Sequence, residues 1–324
     1  MNTLVAIIVA LYGLLIGSFI NAFVWRLHEK KGIAHGERSE CPHCHHTLAA
    51  RDLVPVISWF WLRGKCRYCR KQIHWQYPVV EVLTAGLFAW SAVILAPDSA
   101  ETVIKLGLWL VLLAMLIILA VYDTRWMILP NKIIFPGIGV AAALAVVAAS
   151  AAGAVGFSTH LPIIAGFLGF VGLVVLLLQK FWPEDYDWLF LGGFSLLTAI
   201  AVCLNTYAGL PMLSGPLVAA VGGTAAFLAV AKVGALFSKQ EAMGGGDIKL
   251  VFLMGLILGI KGLALALLIA FNTAALVGVG LILLRRKGRR DYVPFGPFLI
   301  AATVVVYLYG HEIIQWYLRL NGLE

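Results

Sequence analysis

Two acidic residues stand at the ends of apolar runs, where their side chains would meet hydrocarbon. Asp123 closes the run 106–122 and leads into Thr124-Arg125-Trp126-Met127-Ile128-Leu129-Pro130-Asn131. Asp247 follows Gly244-Gly245-Gly246 and opens the run 248–260. An ionisable group at membrane depth is costly and is a functional candidate by default. Two carboxylates at one site can divide a single proton between them and activate water, which is the chemistry of aspartic proteolysis. Each residue also has an ordinary reading. Asp247 could cap a helix beginning at Ile248, and Asp123 could pair with Arg125. The surroundings favour chemistry: three glycines allow an extended chain to approach the carboxylate closely, and Pro130 stops the helix soon after Asp123.

A second constellation is built from cysteines. Cys41-Pro42-His43-Cys44 and Cys66-Arg67-Tyr68-Cys69 are two C-x2-C hooks with 21 residues between them. Each hook aims two thiolates at one point, and four sulfurs complete the closed tetrahedron of a structural zinc site. Disulfides are the competing reading, and a reducing cytoplasmic loop disfavours them. Metal binding would supply folding energy to a polar loop with little core of its own. His43, His45, His46 and His74 are read as surface residues, because four thiolates already saturate zinc. Asp52 reads as a turn residue, the acids at Glu184, Asp185 and Asp187 as a solvated loop, and Cys203 as a small core residue. Glu81 is either a first-turn acid favoured by the helix dipole or a group facing the site.

These residues need a scaffold, and the composition supplies one. The chain has 324 residues, is 61% hydrophobic and only 12% charged, and has a mean hydropathy of +0.93. That composition describes an all-α polytopic membrane protein and excludes an ordinary soluble domain. Apolar runs predict about ten helices, near 4–25, 79–97, 103–122, 133–153, 161–181, 188–210, 215–237, 248–260, 262–284 and 294–317. The piece at 248–260 is short for a span, and Gly259 is placed to break it. The organisation is therefore a first transmembrane helix (1–25), a cytoplasmic four-Cys domain (26–78) and a helical membrane domain (79–324). The net charge of +8 does not point to nucleic acid, since the basic residues lie in loops. Ten Lys/Arg fall between Arg26 and Lys71 and five between Arg285 and Arg290, a pattern that suits the cytoplasmic side and anionic membrane lipid. Only Lys105, Lys261 and Arg319 fall on the other side. Both termini are then outside, and both aspartates share the cytoplasmic side.

Taken in order, the motifs resemble the bifunctional type IV prepilin leader peptidase/N-methyltransferases. The likeness runs from Gly17-Ser18-Phe19-Ile20-Asn21 through the paired hooks, Asp52-Leu53-Val54-Pro55-Val56-Ile57-Ser58-Trp59 and Arg63-Gly64-Lys65-Cys66-Arg67. It continues in Tyr77-Pro78-Val79-Val80-Glu81, Asp123 with Leu129-Pro130-Asn131, and Gly244-Gly245-Gly246-Asp247-Ile248-Lys249-Leu250. Pro294-Phe295-Gly296-Pro297-Phe298 closes it. The resemblance implies removal of the leader from type IV prepilins or type II secretion pseudopilins, with Asp123 and Asp247 as the catalytic pair. It also implies N-methylation of the new N-terminus from S-adenosylmethionine, with Gly64, Lys65 and Glu81 as candidates near the cofactor, in a bacterial inner membrane. The family is usually drawn with eight crossings, so the pair near 161–210 reads as an addition. No oligomeric state is implied.

Other classes make different demands. A proton-coupled transporter also uses intramembrane acids and glycine-broken helices, but an internal repeat relating the two Asp motifs is missing and the four-Cys loop would have no use. A peptidase without methyltransferase activity, or a non-catalytic platform that grips pilins, completes the set. Solute uptake into vesicles, the N-terminal mass of the processed pilin, and leader cleavage in Asp variants separate these readings.

Overall fold

A computed structural model describes residues 3–29, 38–151, 214–237, 244–286, 288 and 293–322. The helices among them are α1 (Thr3–His28), α2 (Ile57–Trp61), α3 (Gln76–Leu95), α4 (Ala100–Trp126), α5 (Asn131–Ala151), α6 (Ser214–Phe237), α7 (Gly245–Leu283) and α8 (Gly296–Leu320). Among the described residues six helices are long and apolar enough to cross a membrane, in α1, α3, α4, α6, α7 and α8. In α5 the apolar stretch Asn131–Ala145 is shorter. The helices expected at 161–181 and 188–210, their acidic turn and Cys203 lie outside the described residues.

Two element ends differ from expectation in ways that bear on the site. The fourth helix runs beyond the expected end at 122 to Trp126, so Asp123 sits within a helical turn. The third begins at Gln76, which takes Tyr77-Pro78 into its first turn. Proline is tolerated there because a first-turn N–H has no intrahelical acceptor.

The chain divides into two compact units, Met1–Leu106 and Gly107–Glu324. In the first, α1 packs on α3. Membrane helices gain little from apolar burial against each other and depend on close approach instead. Gly13 and Gly17, one turn apart, provide it: a Cβ on Gly13 would lie 2.7 Å from Ala85 Cα, and one on Gly17 2.7 Å from Glu81 Cα. The outer face of α1, including Leu4, Ile8, Leu11, Leu15 and Phe19, is exposed, as a lipid-facing surface would be.

The second unit has a tighter interior. Leu112, Leu113, Leu116 and Leu119 of α4, Ile134 and Ile138 of α5, and Leu250, Leu253 and Met254 of α7 are fully buried. Their i, i+3, i+4 spacing gives each helix one packed face. Trp109 stacks on Tyr307 of α8 with ring centroids 3.7 Å apart.

Where the sequence reads as two helices, 248–260 and 262–284, a single helical run of 39 residues appears, interrupted by Gly259 at φ 65°, ψ −175°. That conformation is open to glycine and strained for other residues. The run also bends sharply there. In a straight helix Val251 and Leu263 would be about 18 Å apart. Yet a Cβ on Gly223 would lie 2.6 Å from Leu263 Cδ2 and 3.2 Å from Val251 Cγ1. Side chains of that size cannot meet at one point unless the two arms of α7 fold towards each other. The expected break at Gly259 is therefore present, inside one run rather than between two.

Candidate active site and metal centre

Four helix ends build the site in the second unit: the last turn of α4 and the first turns of α5, α7 and α8. Asp123 comes from α4 and is 5% exposed. Asp247 comes from the first turn of α7 and is half-buried. That helix begins at Gly245 with Gly244 as its N-cap, so Asp247 is not the cap residue. Asp247 lies within electrostatic reach of Asp123, so the two aspartates picked out by sequence are brought together.

Three contacts hold them there. The backbone N–H of Gly296, at the start of α8, donates to Asp123 Oδ2 at 3.1 Å. A Cβ on Gly296 would stand 2.7 Å from that same oxygen, so a side chain at this position would have to push the carboxylate aside. The glycine-rich first turn of α7 packs against the Leu129-Pro130-Asn131 turn, where a Cβ on Gly246 would come within 2.9 Å of Leu129 Cβ. Lys249, buried at 5% exposure, donates from Nζ to Asn131 Oδ1 at 2.9 Å. The N-termini of α5, α7 and α8 all lie around the carboxylates, and a helix N-terminus carries partial positive charge that favours an anion. Arg125, the partner considered for Asp123, lies over the Trp126 ring at 5.7 Å.

The candidate metal centre is in the first unit. The Sγ atoms of Cys41, Cys44, Cys66 and Cys69 all lie within 4.8 Å of one another, with Cys41 Sγ and Cys69 Sγ 3.9 Å apart. Zn–S bonds of about 2.3 Å in a tetrahedron require S···S distances a little under 4 Å, so the four thiols fit zinc. None is in a disulfide. The two hooks have the same local fold. Cys41 N–H donates to His46 O and His45 N–H to Cys41 O; likewise Cys66 N–H donates to Lys71 O and Arg70 N–H to Cys66 O. The residue after each second cysteine is left-handed, His45 at φ 55° and Arg70 at φ 59°. A short bridge closes each hook, Glu40 with Thr47 and Lys65 with Gln72.

The histidines have other contacts. His46 packs on Tyr68, His45 approaches Glu40 at 3.7 Å, and His74 stacks on Trp75. Asp52 ties the turn after the first hook to the second hook, accepting from the Ala49 N–H at 3.2 Å, from Arg67 Nε at 2.6 Å and from the Tyr68 hydroxyl at 3.0 Å. Its side chain is 3% exposed. Burial opposes its ionisation, but Arg67, the Ala49 N–H and Tyr68 outweigh that and hold the carboxyl below its ordinary range.

Glu81 is the third buried acid. Its Oε2 accepts the Val56 N–H at 2.7 Å, and Ser18 also bonds to the carboxylate. Val56 is held at φ 62°, ψ −52°, with Ile57 N–H donating to Pro55 O at 2.6 Å. This is a γ-turn of the rare, strained hand, and for a β-branched residue it is a conformational outlier. Close by, Asn21 Nδ2 donates to Tyr77 O at 3.0 Å. The contacts of Gly64 and Lys65 differ from those of Glu81. Gly64, at φ 68°, packs on the Trp59 indole, while Lys65 sits exposed in its bridge. Gly64 and Lys65 thus belong to the second hook and Glu81 to α3, and the Val56 N–H links the hook domain to Glu81.

Sequence reasoning missed the Gly296 donor, the Lys249–Asn131 bond and the Val56–Glu81 bond. All three lie in segments the resemblance covers. The one readable signal was a proline-flanked glycine at a helix start, Phe295-Gly296-Pro297.

An all-helical, multi-pass scaffold with paired acids at its helix ends and a four-thiol hook domain defines a class of membrane enzyme. The profile of the Bacterial Peptidase A24 N-terminal domain matches residues 11–95. The chain is 30% identical to "Prepilin leader peptidase/N-methyltransferase" of Bacillus subtilis (strain 168), over 97% of this chain and 98% of that one. It is 28% identical to the protein of that name from Aeromonas hydrophila (96% and 93% covered) and 29% identical to that from Pseudomonas putida (96% and 92%). No solved structure matches. The chain belongs to the prepilin leader peptidase/N-methyltransferase family and is an enzyme.

Proposed function

We propose that this protein removes the leader peptide of type IV prepilins or type II secretion pseudopilins through Asp123 and Asp247, then N-methylates the exposed N-terminus. The observation that carries the reading is that the end of α4 and the first turns of α7 and α8 converge, with Gly246 against Leu129 and Gly296 on the Asp123 carboxylate, which leaves Asp247 within electrostatic reach of Asp123. One aspartate is ionised and takes a proton from the attacking water. The other is protonated and gives its proton to the carbonyl oxygen or the leaving amine. Two interacting acids titrate as a unit, so the division of roles belongs to the pair.

Ten crossings, with both termini outside and the hook domain and active site facing the cytoplasm of a bacterial inner membrane, agree with the charge distribution and with the fold-back at Gly259. That arrangement sets the carboxylates at the inner interface, where a cytoplasmic leader joins a membrane-embedded pilin helix. Zinc, held by the four cysteines, stabilises the hook domain. S-adenosylmethionine supplies the methyl group; this chain's part in the transfer is to bring the deprotonated α-amine into line, and proximity supplies much of the rate.

The test uses the full chain in liposomes with a prepilin and the methyl donor, reading leader loss and N-terminal mass together. A shortened, methylated product is expected. A full-length prepilin would end the peptidase reading, and a cleaved but persistently unmethylated one would end the methyltransferase reading.

The Gly296 contact yields a sharper expectation. In Gly296→Ala the new methyl must displace the Asp123 carboxylate. A misplacement near 1 Å costs on the order of 10²-fold, so kcat for leader cleavage should fall by about that factor with KM nearly unchanged. Wild-type kcat would show that the carboxylate does not depend on this contact.

A further inference from the structure

The hook domain presents an apolar stripe that nothing among the described residues covers. In α2, Ile57, Phe60 and Trp61 stand at i, i+3 and i+4 and share one face, and Leu53 and Val54 just before the helix are exposed as well. Ile57, Phe60 and Trp61 are 64%, 66% and 81% exposed. The opposite face of α2 is used inside the domain: Trp59 packs under Gly64 and donates from Nε1 to Ile73 O at 3.2 Å. The helix therefore keeps Trp59 inside the domain and turns Ile57, Phe60 and Trp61 outwards. Basic residues flank it. Residues 40–75 hold six Lys/Arg against Glu40 and Asp52, and Asp52 is already taken by Arg67. Arg51, Arg63 and Lys65 are exposed.

The depth of this stripe follows from a bond within the same unit. Val56, the residue before α2, donates its N–H to Glu81. Glu81 is the sixth residue of α3, about 7 Å along the helix from Gln76 at 1.5 Å per residue. Val79, nearer the start of α3 than Glu81, is already an exposed apolar residue, as are Val82 and Leu83 beyond it. The outward apolar surface of α3 thus extends past the level at which α2 is tied. A stripe fastened there, rimmed by arginine and lysine, matches the composition of interfacial helices.

We propose that α2 is an interfacial anchor: Ile57, Phe60 and Trp61 lie in the headgroup–acyl boundary of the leaflet that faces the hook domain, and Arg51, Arg63 and Lys65 pair with anionic lipid phosphates. This rests on the membrane reading of α1 and α3 given above. The anchor holds the hook domain flat against the bilayer. The Val56–Glu81 bond sets its height, and the paired zinc hooks set its orientation.

The full chain, with benzoylphenylalanine replacing Phe60 in one variant and Trp61 in another, would be reconstituted in nanodiscs containing phosphatidylglycerol and irradiated. A third variant carries the photoreactive residue at His45, whose side chain is 70% exposed on the first hook. Lipid adducts at 60 and 61 are expected at several times the yield at 45, and replacing phosphatidylglycerol with phosphatidylcholine should lower them at least twofold. Equal yields at all three positions would overturn the proposal. So would adducts to protein, either prepilin or another part of this chain, in place of lipid. Unchanged yield without anionic lipid would remove the phosphate pairing. Metal content and leader cleavage are read in each sample: normal values with no lipid adduct defeat the anchor alone, whereas lipid adducts without cleavage leave the anchor standing and the function in question.

Discussion

Asp123→Asn and Asp247→Asn should each reduce leader cleavage by at least about 10³-fold, within the range that acid–base catalysis supplies. The substitution is nearly isosteric. An Asn at 123 can still accept the Gly296 N–H through its amide oxygen, so the helix ends that frame the site should stay in place. What is lost is the ability to take or give a proton at the carbonyl and the water. Removing one member leaves the other without a partner to share its proton, so the double variant should be scarcely worse than either single one, as for residues that act as a unit. The check is a cleavage assay on a purified prepilin, with zinc content as the folding control. Full activity in either single variant would sink the pair mechanism.

Replacing any of Cys41, Cys44, Cys66 or Cys69 with Ser should remove the bound zinc and unfold the hook domain. The expectation is large because structural zinc contributes about 10–16 kcal/mol in small zinc domains, and residues 38–75 contain little other core. Among the described residues of that stretch Cys41, Cys66 and the Asp52 side chain are buried, and no large apolar side chain is. Metal analysis should fall from one zinc per chain to none. Limited proteolysis should shift to cuts between 38 and 75, while the membrane helices stay protected. A strong chelator should reproduce the result on the wild-type protein. One equivalent of zinc retained in Cys66→Ser would contradict the four-thiolate site.

Much of this architecture was legible because membrane helices declare themselves by apolar length, and thiolate hooks by spacing. Helix parity and loop charge led only to the expectation that Asp123 and Asp247 share one side of the membrane. The break at Gly259 was also readable, since a glycine interrupts an apolar run there. Other features have no local signature. The Gly296 donor is a backbone group 173 residues from Asp123 in sequence. The strained turn at Val56 is set by a buried carboxylate 25 residues away, and a valine carries no sign of positive φ. The ends of α3 and α4 moved because Tyr77-Pro78 and Asp123 fit inside first and last turns, where propensity is weakest as a guide.

The Gly296–Asp123 bond carries a lesson for mutational scanning. Its donor is an amide of the main chain, so among the ordinary residues only proline deletes it, and proline adds a ring. A scan would register crowding at 296 and stay blind to the donor. An ester in place of the Phe295–Gly296 amide would put an oxygen where the N–H stood and leave every side chain as it was. Because it also weakens the Phe295 carbonyl that accepts from Phe298 and Leu299, the loss at the carboxylate is read against an ester at a neighbouring position of the same turn.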